Sequence, residues 1–396
     1  MKITQVFNRY LQRGGEEISV ERISNVLSER HQVFQCYFDS SQMAGTDNLA
    51  QMFVSACQIL WNSTAAEILG THLDTVKPDV VVFHNILPYG SASVLHEVQR
   101  RRIKSIYYIH NFRPFSVNGY LWTNGKVATA GLRKNFLPEI LTGSWQQSRL
   151  RTFICASAIS FMHAGRFYKK IDRWIAISNF MRSTFINAGI PENKIVTLRH
   201  SAQIDPVSPC ISDQGYYLFL GRLISAKGVL TLLDAWDQIT KKLGASAPVL
   251  KIAGEGELAP LVEAYSSQNR KVEFLGRIDG LTKTTCIQNC RAMIAPSLWW
   301  EPLGIVTYEA YNACKPMLAA RSGGLAETVH DSYTGFLHEP GNVSQLVKQI
   351  EMLEADPAKA QNLGKAGREW LSKNSNDAQW LDNFDQILQN FVPATK

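Results

Sequence analysis

Two glutamates eight positions apart, Glu301 and Glu309, flank a turn made by Pro302, Leu303 and Gly304 and the residue Ile305 that opens an apolar periodic run. A strand-like stretch, 292–296, precedes them. The order is strand, glycine loop, helix. A helix starting just after such a loop presents unpaired backbone N–H groups and the positive end of its dipole. That end favours a phosphate. Glu301, in the loop, could reach a sugar hydroxyl. Glu309, about two turns further on, could accept hydrogen bonds from a ribose. A diphosphate held between a sugar reader and a ribose reader describes a nucleotide sugar. An ordinary strand-to-helix turn with two solvated glutamates fits the same spacing.

Other candidates stand at strand ends. Gly221 and Arg222 follow the strand 216–220, with Lys227 five residues on. Two cations at the carboxyl edge of a parallel sheet could neutralise a leaving diphosphate. Gly14 and Gly15 follow the first strand and open a helix, a turn that can approach a phosphate closely. His110 ends the strand 105–109 and would face the cleft if two domains close over one site; His84 ends the strand before it. Gly254, Gly256 and Ala259 fit the outline of a dinucleotide fingerprint, with Glu273 near the end of the next strand. Glu255 and Glu257 flank the middle glycine and would repel a pyrophosphate, which argues against that reading.

The elements that must position these residues alternate strand and helix along the chain, so parallel sheets covered on both faces are expected. Strands are expected at 2–7, 32–38, 80–84, 105–109, 173–177 and 194–198. A Pro-rich break at 205–215 reads as a linker. Strands resume at 216–220, 249–253, 271–275, 292–295 and 316–319. The 396 residues therefore divide into an acceptor-side domain, 1–205, and a nucleotide-sugar domain, 206–375. A last helix, 376–396, has apolar residues at helical spacing and is expected to pack back on the first domain.

Charge is unevenly placed. Residues 100–173 hold 14 Lys and Arg against two acidic residues, +12, which leaves −5 for the rest of a chain whose net charge is +7. Aromatic and aliphatic residues are interleaved with these cations, a pattern suited to an anionic membrane surface. A soluble domain with a basic face reads the same, and nucleic acid is disfavoured. No run of about 18 apolar residues occurs, so no membrane-crossing helix is expected. The first residues lack a signal-peptide core. The seven cysteines are scattered, which suggests reduced thiols and a cytoplasmic protein, peripheral on the membrane at most.

The E-x7-E element resembles that of retaining glycosyltransferases of family 4, with the GT-B fold: two Rossmann-like, doubly wound domains facing a central cleft. The likeness extends over most of the chain, through Lys77 to Val80, Ala176 to Met181, Ala188 to Ile195 and Ser322 to Val329. It implies that Arg222 and Lys227 bind donor phosphates and that Gly14, Gly15, Gly221, Gly256, Pro302, Leu303, Gly304, Ile305 and Glu309 line the donor site. The backbone near Arg277 would meet the base, and His110 would lie beside the transferred sugar with Glu301. The chain departs from the family at Arg199 to Asp205 and at Cys314, where glycine is common. No D-x-D triplet occurs, so neither a metal ion nor another cofactor is expected. The partners implied are a nucleoside-diphosphate sugar and an acceptor glycan or lipid-linked glycan. A nucleotide-sugar epimerase on this fold, or a non-catalytic binder of anionic glycans, remains as an alternative.

Overall fold

A computed structural model describes residues 1–9, 14–40, 49–204 and 213–391, without the side chains of 49–53. Most of the expected linker, and the residues between Arg9 and Gly14, lie outside that set. The chain forms two compact units. One comprises Met1–Asn124, Ala128–Ser201 and Asp377–Lys396; the other comprises Ala202–Asn376 and Gly125–Val127.

The first unit holds a six-stranded sheet: β1 (Lys2–Arg9), β2 (Gln32–Asp39), β3 (Val80–Phe83), β4 (Lys104–Ile109), β5 (Arg173–Ala176) and β6 (Ile195–Thr197). Its order is β2-β1-β3-β4-β5-β6, and every pairing is parallel. All four residues of β3 are buried, as a strand covered on both faces requires. Tyr107 stacks on Trp174 with ring centroids 4.8 Å apart, which centres the core. The helix Asp377–Gln389 packs Trp380, Leu381, Phe384 and Leu388 inward. Its polar face is tied to the helix Gly15–Leu27 and the turn after it. Arg22 donates to both oxygens of Asp377 at 2.6 and 2.8 Å, and His31 meets Asp385 at 2.7 Å. Each apolar side chain buried there contributes about 1.5–3 kcal/mol, more than the partly exposed ion pairs do.

The second unit repeats the plan with β7 (Tyr216–Leu220), β8 (Val249–Ala253), β9 (Val272–Gly276), β10 (Ala292–Ala295), β11 (Met317–Ala320) and β12 (Gly335–His338). The order β9-β8-β7-β10-β11-β12 is that of a dinucleotide-binding sheet, again all parallel. Its switch point lies between β7 and β10, where ligands of such sheets bind. β12 was not expected from the sequence, because four residues opened by a glycine carry little signal.

Two expectations need correction. The helix after Gly304 runs only from Val306 to Asn312, so Glu309 lies one turn into it and not two. Cys36, Cys57, Cys155, Cys286 and Cys290 are free, but Cys314 is disulfide-bonded, so the chain is not uniformly reduced. A disulfide needs two Cα atoms about 4.4–6.8 Å apart in space, which scattered sequence positions do not reveal.

Candidate functional site

At the switch point of the second sheet, the loops after β7 and β10 meet. Lys227 donates to Glu301 Oε1 at 2.6 Å. Ser297 Oγ, at 2.6 Å, and Trp299 Nε1, at 2.9 Å, donate to the same oxygen. All three converge on Oε1, and none uses Oε2. The Lys227 ammonium also lies 5.2 Å from the centre of the Trp299 ring. Burial pushes the Glu301 pKa up, but the Lys227 charge and the three hydrogen bonds outweigh it and hold the carboxyl below the usual carboxylate range. Glu301 is therefore ionised at neutral pH and fixed in orientation.

Local backbone chemistry builds this pair. Gly228, at φ +72°, follows Lys227, and a Cβ there would meet the carbonyl oxygen of Pro296 at 1.9 Å. Only glycine lets the two loops come that close. On the other side, Gly323 lies against the Glu301 backbone, and Gly324 N–H donates to the Glu301 carbonyl at 2.7 Å. The Ser322–Gly324 turn thus clamps the loop from below.

Beyond Glu301 the chain turns at Gly304, φ +83°. Among the described residues, no acceptor is found for the N–H groups of Gly304, Ile305 and Val306, which lie half-buried. Three such donors in succession make an anion seat. Glu309 accepts from Lys283 at 2.7 Å, a lysine on the helix Gly280–Asn289. Arg222 is exposed at the end of β7.

Other candidates from the sequence have different surroundings. The Gly254 and Gly256 turn packs on the Gly221–Leu223 backbone. Leu223 N–H donates to the Glu255 carbonyl at 2.7 Å, and a Cβ on Gly256 would meet the Leu223 oxygen at 2.3 Å. Gly256 therefore supports the Arg222 loop from behind. Arg277 sits 3.6 Å from Glu255, both largely exposed, a pair of little strength. A Cβ on Gly14 or Gly15 would meet nothing within 4 Å. Glu16 and Glu17 already occupy the first turn of that helix, so its dipole is met by two carboxylates.

In the first unit, His110 lies in a chain of buried imidazoles. Gln5 Nε2 is 3.4 Å from His84 Nε2, His84 Nδ1 is 2.8 Å from His110 Nε2, and His110 Nδ1 is 3.4 Å from His200 Nε2. Tyr37 O–H donates to Gln5 Oε1 at 3.2 Å, so Gln5 turns its amide N–H toward His84. Each link then fixes the next: every histidine carries its proton on Nδ1 and accepts at Nε2. The chain ends at His200 Nδ1, buried without an acceptor. Burial lowers all three pKa values, to about 3 for His84 and His200 and well below 6.5 for His110. They are neutral. Both His110 nitrogens are engaged within the protein.

Sequence reading missed Ser297, Trp299, Lys283 and His200. The first two sit within four residues of Glu301 and could have been weighed as its donors. His200 carried a signal as well, since it follows a strand as His84 and His110 do.

Two family models meet end to end on the chain: Glycosyltransferase Family 4 matches residues 13–201, and Glycosyl transferases group 1 matches 202–370. An uncharacterised glycosyltransferase of Methanocaldococcus jannaschii is 32% identical over 165 residues, 41% of this chain and 45% of that one. A GDP-mannose-dependent alpha-(1-6)-phosphatidylinositol monomannoside mannosyltransferase of Mycolicibacterium smegmatis is 27% identical over 220 residues, 50% of this chain and 57% of that one. The matched part thus spans about half the length of these relatives. The Anabaena HepE structure in complex with UDP matches 99% of this chain and 100% of its own, with a TM-score of 0.66 at 17% identity. That likeness is one of fold.

Proposed function

The chain belongs to the glycosyltransferases of family 4 and group 1 and has their GT-B fold, and on that premise we propose that it moves a sugar from a nucleoside-diphosphate donor to an acceptor hydroxyl with retention. The observation that carries the proposal is the Lys227–Glu301 pair beside the three unfilled N–H groups of Gly304, Ile305 and Val306. The diphosphate sits on those N–H groups, with Arg222 and Lys227 on its oxygens. Lys227 has three N–H donors, and Glu301 takes one of them. Glu301 Oε2 holds a sugar hydroxyl, and Glu309 reads the ribose. The acceptor oxygen forms its bond to the anomeric carbon as the bond from that carbon to phosphate breaks. The acceptor proton passes to the departing phosphate oxygen on the same face. The leaving group's charge is met by cations and backbone dipoles, so the reaction needs no divalent metal. The acceptor is a glycan or a lipid-linked glycan, and nucleic acid is not a partner.

A thermal-shift panel of UDP-, GDP- and ADP-sugars tests this, since UDP and GDP-mannose occur with the related proteins above. A bound donor adds about 2.7 kcal/mol at a hundredfold excess over Kd. One nucleotide series should raise Tm, and transfer with that donor should persist in EDTA. If EDTA abolishes transfer and Mg²⁺ or Mn²⁺ restores it, the metal-free route is wrong.

A further inference from the structure

The helices Leu137–Thr142 and Arg149–Ala164 of the first unit turn apolar side chains outward. Leu137 and Leu141 are each 57% exposed, Leu150 and Phe153 each 54%, and Phe161 40%. These five are more than a third of the fourteen large apolar residues exposed among the described residues, and they lie on two neighbouring helices. They do not scatter as single exposed residues usually do. Leu150, Phe153 and Phe161 share the outward stripe of their helix, while Thr152, Cys155, Ala156, Ile159 and Met162 fill its inward one. Between the helices runs an open groove of about 490 Å³, lined by Phe136, Leu137, Ile140, Phe153 and Phe161, with Lys134 at its edge. Trp61, itself 38% exposed, meets Phe161 edge to face and extends the apolar surface.

Charge around this face has one sign. From Asn111 to Ile171 the sequence has a single acidic residue, Glu139. Glu139 is buried, and its carboxylate accepts from Ser116 Oγ at 2.7 Å and Val117 N–H at 2.8 Å. Arg133, Lys134, Arg149 and Arg151 are exposed beside the stripe, and Lys169 and Lys170 follow it.

We propose that this face docks on an anionic lipid bilayer, with the leucine and phenylalanine side chains in the interfacial layer and the cations on lipid phosphates. Charge decides the occupant. A second copy placed on the same face would oppose cation to cation with no exposed acid between. A polyanion such as nucleic acid would satisfy the cations but leave the leucines in water. A bilayer surface accommodates both. A lipid-linked acceptor presented there would need no transmembrane anchor in the enzyme, and among the described residues no helix is long and apolar enough to cross a membrane. The inference rests on this face alone and not on the donor chemistry.

Co-sedimentation of the full chain with phosphatidylcholine–phosphatidylglycerol vesicles, against pure phosphatidylcholine, tests it. The wild type should pellet with the anionic vesicles only and be released as salt screens the contact over about 8–10 Å. Lys134→Gln with Arg151→Gln should weaken binding about 25-fold, at about fivefold per cation. Phe153→Asp should weaken it roughly tenfold or more, since a buried Phe contributes about 1.5–3 kcal/mol. Donor-induced thermal shift should be unchanged in both variants. Equal pelleting with neutral vesicles, or none with either while the donor shift persists, overturns the inference and leaves the glycosyltransferase reading intact. A dimer that Phe153→Asp dissociates, in a protein that ignores vesicles, also overturns it and assigns the face to self-association.

Discussion

At the carboxyl edge of the second sheet the polar groups are charged and paired, Lys227 with Glu301 and Lys283 with Glu309. At the carboxyl edge of the first, beside an Arg9–Glu17 pair, three neutral imidazoles hydrogen-bond to one another. Both sheets are parallel throughout, but they differ in strand order as well as in the side chains at these edges. An ionic edge can hold an anion through cations that keep their charge over a wide pH range. A neutral imidazole edge brings polar contacts without charge, but only while burial keeps its protons off. The contrast suits a diphosphate on one unit and uncharged hydroxyls on the other.

The strongest way to break this comparison is to remove a cation. Arg222→Ala and Lys227→Ala should each lower kcat/KM by about 10²–10³, the loss expected for one electrostatic stabiliser of a leaving group. Their stabilities should differ. Arg222 is exposed, whereas Lys227→Ala leaves the Glu301 carboxylate buried without its cation, at a cost of about 3–5 kcal/mol. Urea unfolding of both variants measures this. Equal stabilities would mean that Ser297 and Trp299 alone hold Glu301.

Acid should separate the two units. His84 and His200 titrate near 3 when folded and near 6.5 when unfolded, with His110 shifted the same way. Above about pH 6.5 neither state is protonated, and stability is full. As pH falls below 6.5 the unfolded chain takes up protons that the folded chain refuses. Each histidine then costs about 1.4 kcal/mol per pH unit until its folded pKa is reached. Glu301, with a depressed pKa, keeps its contribution until pH falls through the carboxylate range. The second sheet has one buried histidine of this kind, His338 on β12, lowered to about 4 by burial, so it should lose less than the first. Hydrogen exchange at pH 5.5 should therefore show a larger loss of protection in β3 and β4 than in β7 and β10. Equal losses in both sheets would erase the contrast.

How much of this was legible in the sequence differs between the same two edges. The strands announced themselves, because runs such as Val80–Phe83 and Ala292–Ala295 are apolar throughout and bounded by turn formers. Glu301, Arg222 and Lys227 were legible as candidates, because their chemistry is carried by single residues at strand ends. Their pairing was not. Lys227 and Glu301 are 74 positions apart, and only the β7–β10 adjacency brings them within a hydrogen bond. The histidine chain was harder still. Its links run from 84 to 110 to 200, and the engagement of both His110 nitrogens follows from geometry that no spacing encodes. The length of the helix after Gly304 was misjudged: it runs only from Val306 to Asn312, which leaves Glu309 one turn in.

The mildest test concerns Glu309. Its carboxylate is about a third exposed and already paired with Lys283, also about a third exposed. A ribose must therefore compete with an ammonium and with water for the same oxygens. Glu309→Ala should weaken donor binding by about 1.5–2 kcal/mol, in the lower part of the range for hydrogen bonds to a charged group. It should barely move stability, because the lysine left behind can turn to solvent. Lys283→Ala separates the two roles of the carboxylate. If Glu309 reads the ribose, losing Lys283 frees its oxygens, and donor affinity should hold or rise slightly. If Glu309 serves only to anchor Lys283, calorimetry will find the same donor Kd for Glu309→Ala as for the wild type. The ionic edge would then touch the donor through Arg222, Lys227 and Glu301 alone.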